Sequence, residues 1–195
     1  TDNIEVIKNT QIVILPGVGS FPAGMRELQA RGLINVLNQR NSDKKPIIGI
    51  CLGMQLLFDN SNEFSINKGL GFFKGEIKNL KELSIQENEF NESEIKLPHM
   101  GWNSLNEYFG NSKFEDYKQF KNQSFYFVHN FASEKIRNAD FFITTQYQGR
   151  KPIAMCGLGS NIGFQFHPER SGTAGLNLLS KVINNFFTLV DNNLY

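Results

Sequence analysis

Residues 46–58 read Pro46-Ile47-Ile48-Gly49-Ile50-Cys51-Leu52-Gly53-Met54-Gln55-Leu56-Leu57-Phe58, and their order decides the fold. The run over 46–50 is apolar without alternation, which is what a strand covered on both faces requires. From Met54 to Phe58 the apolar residues continue as a helix, so the stretch predicts strand, sharp turn, helix. At the turn, Gly49-Ile50-Cys51-Leu52-Gly53 has the spacing of a nucleophile elbow, whose glycines permit the bend that lifts a central side chain above a sheet. The unpaired N–H groups of a helix N-terminus there favour a thiolate, and the N–H of Leu52 is placed to hold a developing oxyanion. The competing account makes Cys51 a small buried apolar residue beside two turn glycines.

Outward from that stretch the same alternation recurs. Residues 11–15 (QIVIL) form a short β-branched run broken at once by Pro16-Gly17-Val18-Gly19, a strand ending in a turn. From Ser20 the spacing is helical, with Met25, Leu28, Leu33, Ile34 and Leu37 facing the core. Strand, helix, strand, helix over the first sixty residues predicts an α/β fold, a mostly parallel sheet with helices on both faces. Residues 69–77 approach a strand, and 78–95 form a charged, Asn/Glu-rich solvated excursion. The compact stretch 97–103 follows, then strand-like segments at 124–128, 141–147, 153–156 and 162–166, and an amphipathic helix over 172–189. With no repeat and no linker, residues 1–195 are expected to form a single domain.

Composition bounds the function classes. The chain has 195 residues, a formal charge of +1, 40% hydrophobic residues, two cysteines and three histidines. Near-neutral charge without basic blocks gives no electrostatic reason to expect nucleic acid or an anionic membrane as partner. No apolar run reaches the roughly 20 residues that span a bilayer. Two cysteines build neither a disulfide framework nor a Cys-rich metal site, so reduced thiols in the cytoplasm are the expectation, with no metal and no cofactor. The 18 phenylalanines are read first as core.

Two further segments carry chemistry. In Phe164-Gln165-Phe166-His167-Pro168-Glu169, alternation sets His167 and Glu169 on one side if the strand stays extended, so that a carboxylate can orient the imidazole. A solvated His-Pro-Glu turn is the plain alternative. Pro16-Gly17-Val18-Gly19 lacks the third glycine of a dinucleotide fingerprint and the Gly-Lys-Ser/Thr of a phosphate loop. Its other use is to bring a backbone N–H close to the elbow, where only glycine allows the approach. Cys51, His167 and Glu169 together resemble the nucleophile, base and orienting carboxylate of a Cys-His-Glu hydrolase.

In order along the chain, PGVG followed by SF (16–21), GICLGMQLLF (49–58), LPHMGWN (97–103), FYFVHNF (125–131) and GFQFHPERSG (163–172) resemble the class I (triad) glutamine amidotransferases. More narrowly they are similar to the glutaminase subunits of imidazole glycerol phosphate synthase, over nearly the whole chain from residue 11. The resemblance implies a flavodoxin-like amidotransferase fold and a hydrolase that releases ammonia from glutamine. Cys51 would be the nucleophile, His167 the base and then the acid, and Glu169 the residue holding its tautomer. The N–H groups of Leu52 and Val18 would form the oxyanion hole, with Gly17 and Gly19 beside them. Gln55, Glu63 and the segment His129, Asn130 and Phe131 would bind the amino-acid end of glutamine. His99, Met100, Gly101, Trp102 and Asn103 would face the partner, a cyclase subunit with a (β/α)8 barrel that receives the ammonia in a cytoplasmic heterodimer of histidine biosynthesis. Trp102 reads equally as core aromatic or interface, and Cys156 as an inert core thiol.

Three departures accompany the resemblance. The family begins with a strand and helix ahead of the segment matching residues 1–15, so the fold is expected to lack its usual first βα unit, with an exposed sheet edge prone to swapping or aggregation. The 78–95 excursion is long, and Asn130 and Phe131 replace the Ser or Thr and Tyr expected there. These leave two alternatives open: ammonia delivery to a sugar-amidating or other synthase, and a non-catalytic interaction subunit on the same scaffold.

Overall fold

The computed structural model describes residues 1–86 and 95–191. In chain order the first elements are α1 (Ile4–Asn9), β1 (Val13–Gly17), α2 (Phe21–Ala30), α3 (Leu33–Ser42), β2 (Ile47–Cys51) and α4 (Leu52–Leu56). Then come β3 (Phe58–Ser61), β4 (Asn67–Lys68), β5 (Phe73–Asn79), β6 (His99–Gly110), β7 (Ser124–His129) and β8 (Phe131–Ala132). The chain continues through β9 (Phe141–Thr145), β10 (Ile153–Leu158), β11 (Asn161–Phe164) and α5 (Gly172–Asp191). None of the described helices is long and apolar enough to cross a membrane.

The larger sheet runs β1-β2-β11-β10-β9-β6-β7, and a smaller one runs β4-β3-β5-β8. β1, β2 and β11 are parallel, with Gly17 opposite Cys51 and Ile50 opposite Phe164. That part meets the α/β expectation. The remaining pairs, β11 to β10, β10 to β9, β9 to β6 and β6 to β7, are antiparallel, so the sheet is mixed where a mostly parallel one was predicted. The reason is in the connections: β10 turns into β11 through Gly159 and Ser160 alone, too short for the crossover that parallel neighbours need.

β2 is buried along its whole length, and successive residues feed different cores. Ile48 and Ile50 pack with Phe125, Phe127, Phe164, Phe166 and the α5 residues Leu178, Val182 and Phe186. Ile47 packs on the other face with Leu28, Leu37, Leu52, Leu56 and Phe58. Each such side chain contributes about 1.5–3 kcal/mol by leaving water. Phenylalanine is therefore core material in both clusters. Arg40, 1% exposed, donates to the carbonyls of Ile7, Thr10, Gln11 and Pro46 and so ties α1 and the entry to β1 onto α3.

Several local expectations change. The helical stretch after Ser20 is two helices, because Gly32 takes a left-handed conformation (φ +68°) between them. The helix after the elbow spans only Leu52–Leu56, and Phe58 already opens β3. Residues 97–103, read as a separate compact segment, enter β6, a 12-residue strand running to Gly110. Of the predicted 78–95 excursion, residues 78 and 79 end β5, and 87–94 lie outside the described residues.

Candidate active site

Cys51 stands where β2 becomes α4, with φ +54° and ψ −112°, a backbone state that a side-chain-bearing residue rarely occupies. The flanking glycines make it possible by close approach. A Cβ on Gly49 would lie 2.7 Å from the backbone N and Cα of Met54, and one on Gly53 would overlap the Leu15 carbonyl oxygen. Cys51 is 7% exposed, and its sulfur lies 3.9 Å from the Val128 carbonyl oxygen. Burial pushes its thiol up to about 11, against a lowering by the Leu52 N–H; the Glu169 charge raises it further. This corrects the expectation of a thiolate favoured by the helix N-terminus: α4 has five residues, and desolvation outweighs its N–H groups.

His167 follows β11 and precedes the 3-10 turn Pro168–Arg170. Its Nδ1 lies 2.7 Å from Glu169 Oε1. A carboxylate accepts, so Nδ1 carries the hydrogen and Nε2 presents a lone pair. Nε2 is buried and has no hydrogen-bond partner among the described residues. The backbone of His167 is pinned on both sides: its N–H donates to the Tyr126 carbonyl at 2.8 Å, and its carbonyl accepts from Ser171 Oγ at 2.6 Å. Ser171, 1% exposed, also accepts from the Tyr126 N–H at 3.0 Å. The predicted pairing of His167 with Glu169 is present, although the extended strand stops before them and the turn places the carboxylate.

Both groups open on one cavity of about 400 Å³, within the roughly 300–1,000 Å³ usual for small-ligand sites. Its walls bring together Val18, Gly19, Cys51, Leu52, Gln55, Glu63, His129, Asn130, Phe131 and His167. Gly19 has φ +101°, a conformation strained for any side-chain-bearing residue, and a Cβ on Gly17 would sit a tight 3.1 Å from Leu52 Cβ, so glycines suit this loop where it lies against the elbow. The Val18 side chain is 82% exposed. Glu63 Oε2 accepts the Phe21 N–H at 2.6 Å, at the first turn of α2, which fixes this carboxylate on that wall. Gln55, 6% exposed, is held by the Phe131 carbonyl and by Gln165.

The segment 99–103 divides by strand alternation. His99 is 2% exposed and faces inward, whereas Met100 and Trp102 are 59% and 60% exposed. His99 therefore does not belong to an exposed surface, and the core reading of Trp102 fails. Gly101 (φ +125°) and Asn103 are half-buried. Cys156 is fully buried, and burial raises its thiol strongly. Two contributors escaped the sequence reading. Gln165 was within the quoted motif and on the His167 side of the alternation, and its Nε2 lies 4.0 Å from Cys51 Sγ. Ser171 offered only a serine four residues after the histidine.

The family model described as "Glutamine amidotransferase class-I" matches residues 1–187. The imidazole glycerol phosphate synthase subunit HisH of Streptococcus gordonii is 41% identical over 169 residues, covering 87% of this chain and 75% of that protein. The same subunit from Lactococcus lactis is 37% identical over 177 residues, covering 91% and 81%. Among solved structures, a crystal structure of a glutamine amidotransferase superposes with TM-score 0.66 at 13% identity, covering 97% of this chain and 84% of that one. The glutaminase domain of Trypanosoma brucei CTPS with bound acivicin does so with TM-score 0.53 at 14% identity, covering 93% and 74%. At those identities the two structures speak for the fold.

Proposed function

We propose, from the premise that the chain belongs to the class I glutamine amidotransferase family and is a relative of the HisH subunits, that it is the glutaminase subunit of an imidazole glycerol phosphate synthase. In this reading Cys51, His167 and Glu169 are its triad. One observation carries the triad: a histidine whose Nδ1–H is spoken for by a carboxylate, and whose buried Nε2 has no hydrogen-bond partner among the described residues, lines the same cavity as a strained cysteine.

The chemistry follows from the protonation states. Cys51 rests as a thiol, so His167 Nε2 takes its proton as Sγ attacks the side-chain amide carbon of glutamine, and Glu169 steadies the imidazolium that forms. The oxyanion is received by the N–H groups of Leu52 and Val18. Collapse breaks the C–N bond, His167 returns the proton to the leaving nitrogen, and ammonia departs from a γ-glutamyl thioester. Water, deprotonated by His167, attacks the thioester carbon and frees glutamate and the thiol. Glu63 meets the substrate ammonium, and Gln55 with the backbone at His129, Asn130 and Phe131 brackets its amino-acid end. The ammonia passes to a cyclase partner, because released into water it would be protonated and diluted before it could attack. The exposed Met100 and Trp102 give β6 an apolar outer face suited to such a partner.

Replacing Cys51 by alanine should abolish glutamine hydrolysis and leave partner binding intact. Mixing the protein with a cyclase and, separately, with a sugar-amidating synthase should raise ammonia release with the cyclase alone. Stimulation by the sugar enzyme instead would reassign the acceptor, and ammonia release surviving in Cys51→Ala would remove the mechanism.

A further inference from the structure

A run of hydrogen bonds leads from β6 to the sulfur of Cys51. Its directions are fixed by which atoms can donate. The Phe131 carbonyl only accepts, so His129 Nδ1, 2.9 Å away, carries the hydrogen. Burial and the neighbouring imidazole of His167 hold His129 neutral, with its pKa lowered to about 4, which leaves Nε2 as an acceptor. His99 Nδ1, 2.9 Å from that atom, is therefore the donor, and His99 Nε2 accepts from the Asn103 amide at 3.1 Å. The Phe131 carbonyl receives a second hydrogen from Gln55 Nε2 at 2.8 Å, and the same nitrogen donates to Gln165 Oε1 at 3.1 Å. Gln165 Nε2 closes the run 4.0 Å from Cys51 Sγ.

We propose that His99 and His129 are positioning residues: they transmit the placement of β6, on whose outer face Met100 and Trp102 stand, to the Phe131 carbonyl and Gln55 in the cavity. The proposal deepens the glutaminase reading and rests on it. Three features support it. An imidazole is rigid and, when neutral, carries a donor on one side and an acceptor on the other, so a pair of them passes on direction as well as contact. His99 cannot turn aside, because it is stacked on Tyr147 at 4.0 Å and on Phe127 at 4.6 Å between ring centres. In the β6–β7 register His99 lies opposite His129 and Met100 opposite Val128, whose carbonyl approaches Cys51 Sγ, so a displacement of β6 is felt at both ends of the cavity. Satisfaction of buried polar groups would account for bonds in this region. It does not account for a run that joins the strand with the exposed aromatic to both Gln55 and the nucleophile.

The test compares two replacements of His99 in the complete chain with its stimulating partner, reading kcat and KM for glutamine by ammonia release. His99→Phe keeps the stack and removes both ring nitrogens; His99→Asn gives up the stack and restores a donor at the Nδ1 position. Transmission through the pair predicts that His99→Phe raises KM about tenfold, inside the roughly 5–150-fold range of coupling between sites, with kcat changed less than about threefold. His99→Asn should recover most of that loss. If the histidine serves packing alone, the order reverses, with Phe close to the parent and Asn the damaged variant, and the proposal is overturned. An unchanged KM in His99→Phe overturns it too, and a His99→Phe chain too unstable to assay while His99→Asn behaves as damaged counts as the packing result. Should the parent chain release no ammonia with any acceptor enzyme, the glutaminase reading falls and takes the relay with it, an outcome distinct from a working parent with an indifferent His99.

Discussion

On one side of the cavity His167 donates a hydrogen bond from Nδ1 to Glu169, a carboxylate about half open to water, and its Nε2 has no hydrogen-bond partner among the described residues. On the other side His99 and His129 spend their ring nitrogens on each other, on a carbonyl and on an amide, with no carboxylate among those partners. Burial lowers their pKa values to about 3 and about 4. In the proposed reading the same side chain is a proton acceptor in one place and a fixed neutral strut in the other. What separates the two is the neighbour: a carboxylate stabilises the imidazolium, whereas desolvation and a second imidazole forbid it.

The comparison can be broken most forcefully at His167. His167→Ala should lower glutamine turnover by about 10⁶-fold, as loss of a triad histidine does elsewhere, with ammonia release as the readout. A loss under tenfold would mean that another group takes the Cys51 proton. Next in size is the thiol itself. With its pKa pushed up to about 11, Cys51 in the unliganded chain should be alkylated by iodoacetamide at a rate that climbs about tenfold per pH unit from 7 to 10. A plateau near neutrality would show a preformed thiolate and refute the proton transfer drawn above.

Glu169→Gln should cost about 10²-fold in turnover, less than the roughly 10⁴-fold seen for a buried triad carboxylate, because water reaches a side chain that is 49% exposed. The buried pair sharpens the contrast through acid stability. His99 and His129 have folded pKa values below the ordinary 6.5, so their contribution is present above pH 6.5 and is lost as pH falls toward about 4 and then about 3, where the unfolded chain has already taken up the protons. Denaturant unfolding between pH 7 and pH 4.5 should therefore weaken more steeply in the parent than in His99→Phe; equal slopes would place the acid sensitivity elsewhere. The smallest effect belongs to Trp102→Ala. At 60% exposure it should shift unfolding by no more than about 0.5 kcal/mol. Its mark should be on partner stimulation, and a chain stimulated as well as the parent would remove Trp102 from the interface.

The legible parts of the site share one property, closeness in sequence. Gly49, Cys51 and Gly53 lie within five residues, and His167 and Glu169 are two apart, so strand and turn rules apply to them directly. Gln165 lies within reach of the same alternation that places His167. The break at Gly32 leaves a fainter trace: from Leu28 the next buried apolar residue is Leu33, a step of five that would turn the apolar face by about 140° in one continuous helix, and a single left-handed residue separates the two. The antiparallel half of the sheet was hidden for a related reason: apolar runs such as 141–147 and 153–156 announce strands without stating their direction.

His99 and His129 are 30 residues apart, and nothing in either segment names the other as partner. By itself the sequence determined the elbow, the histidine with its carboxylate, the family, and an α/β core built from phenylalanine, because each rests on spacing within a few residues or on motif order. Tertiary structure alone decided that burial raises the Cys51 thiol, that the sheet is mixed, and that His99 and His129 are hydrogen-bonded to each other beside the cavity. Those outcomes depend on desolvation and on strand register, and both come into being only when distant segments are packed against each other.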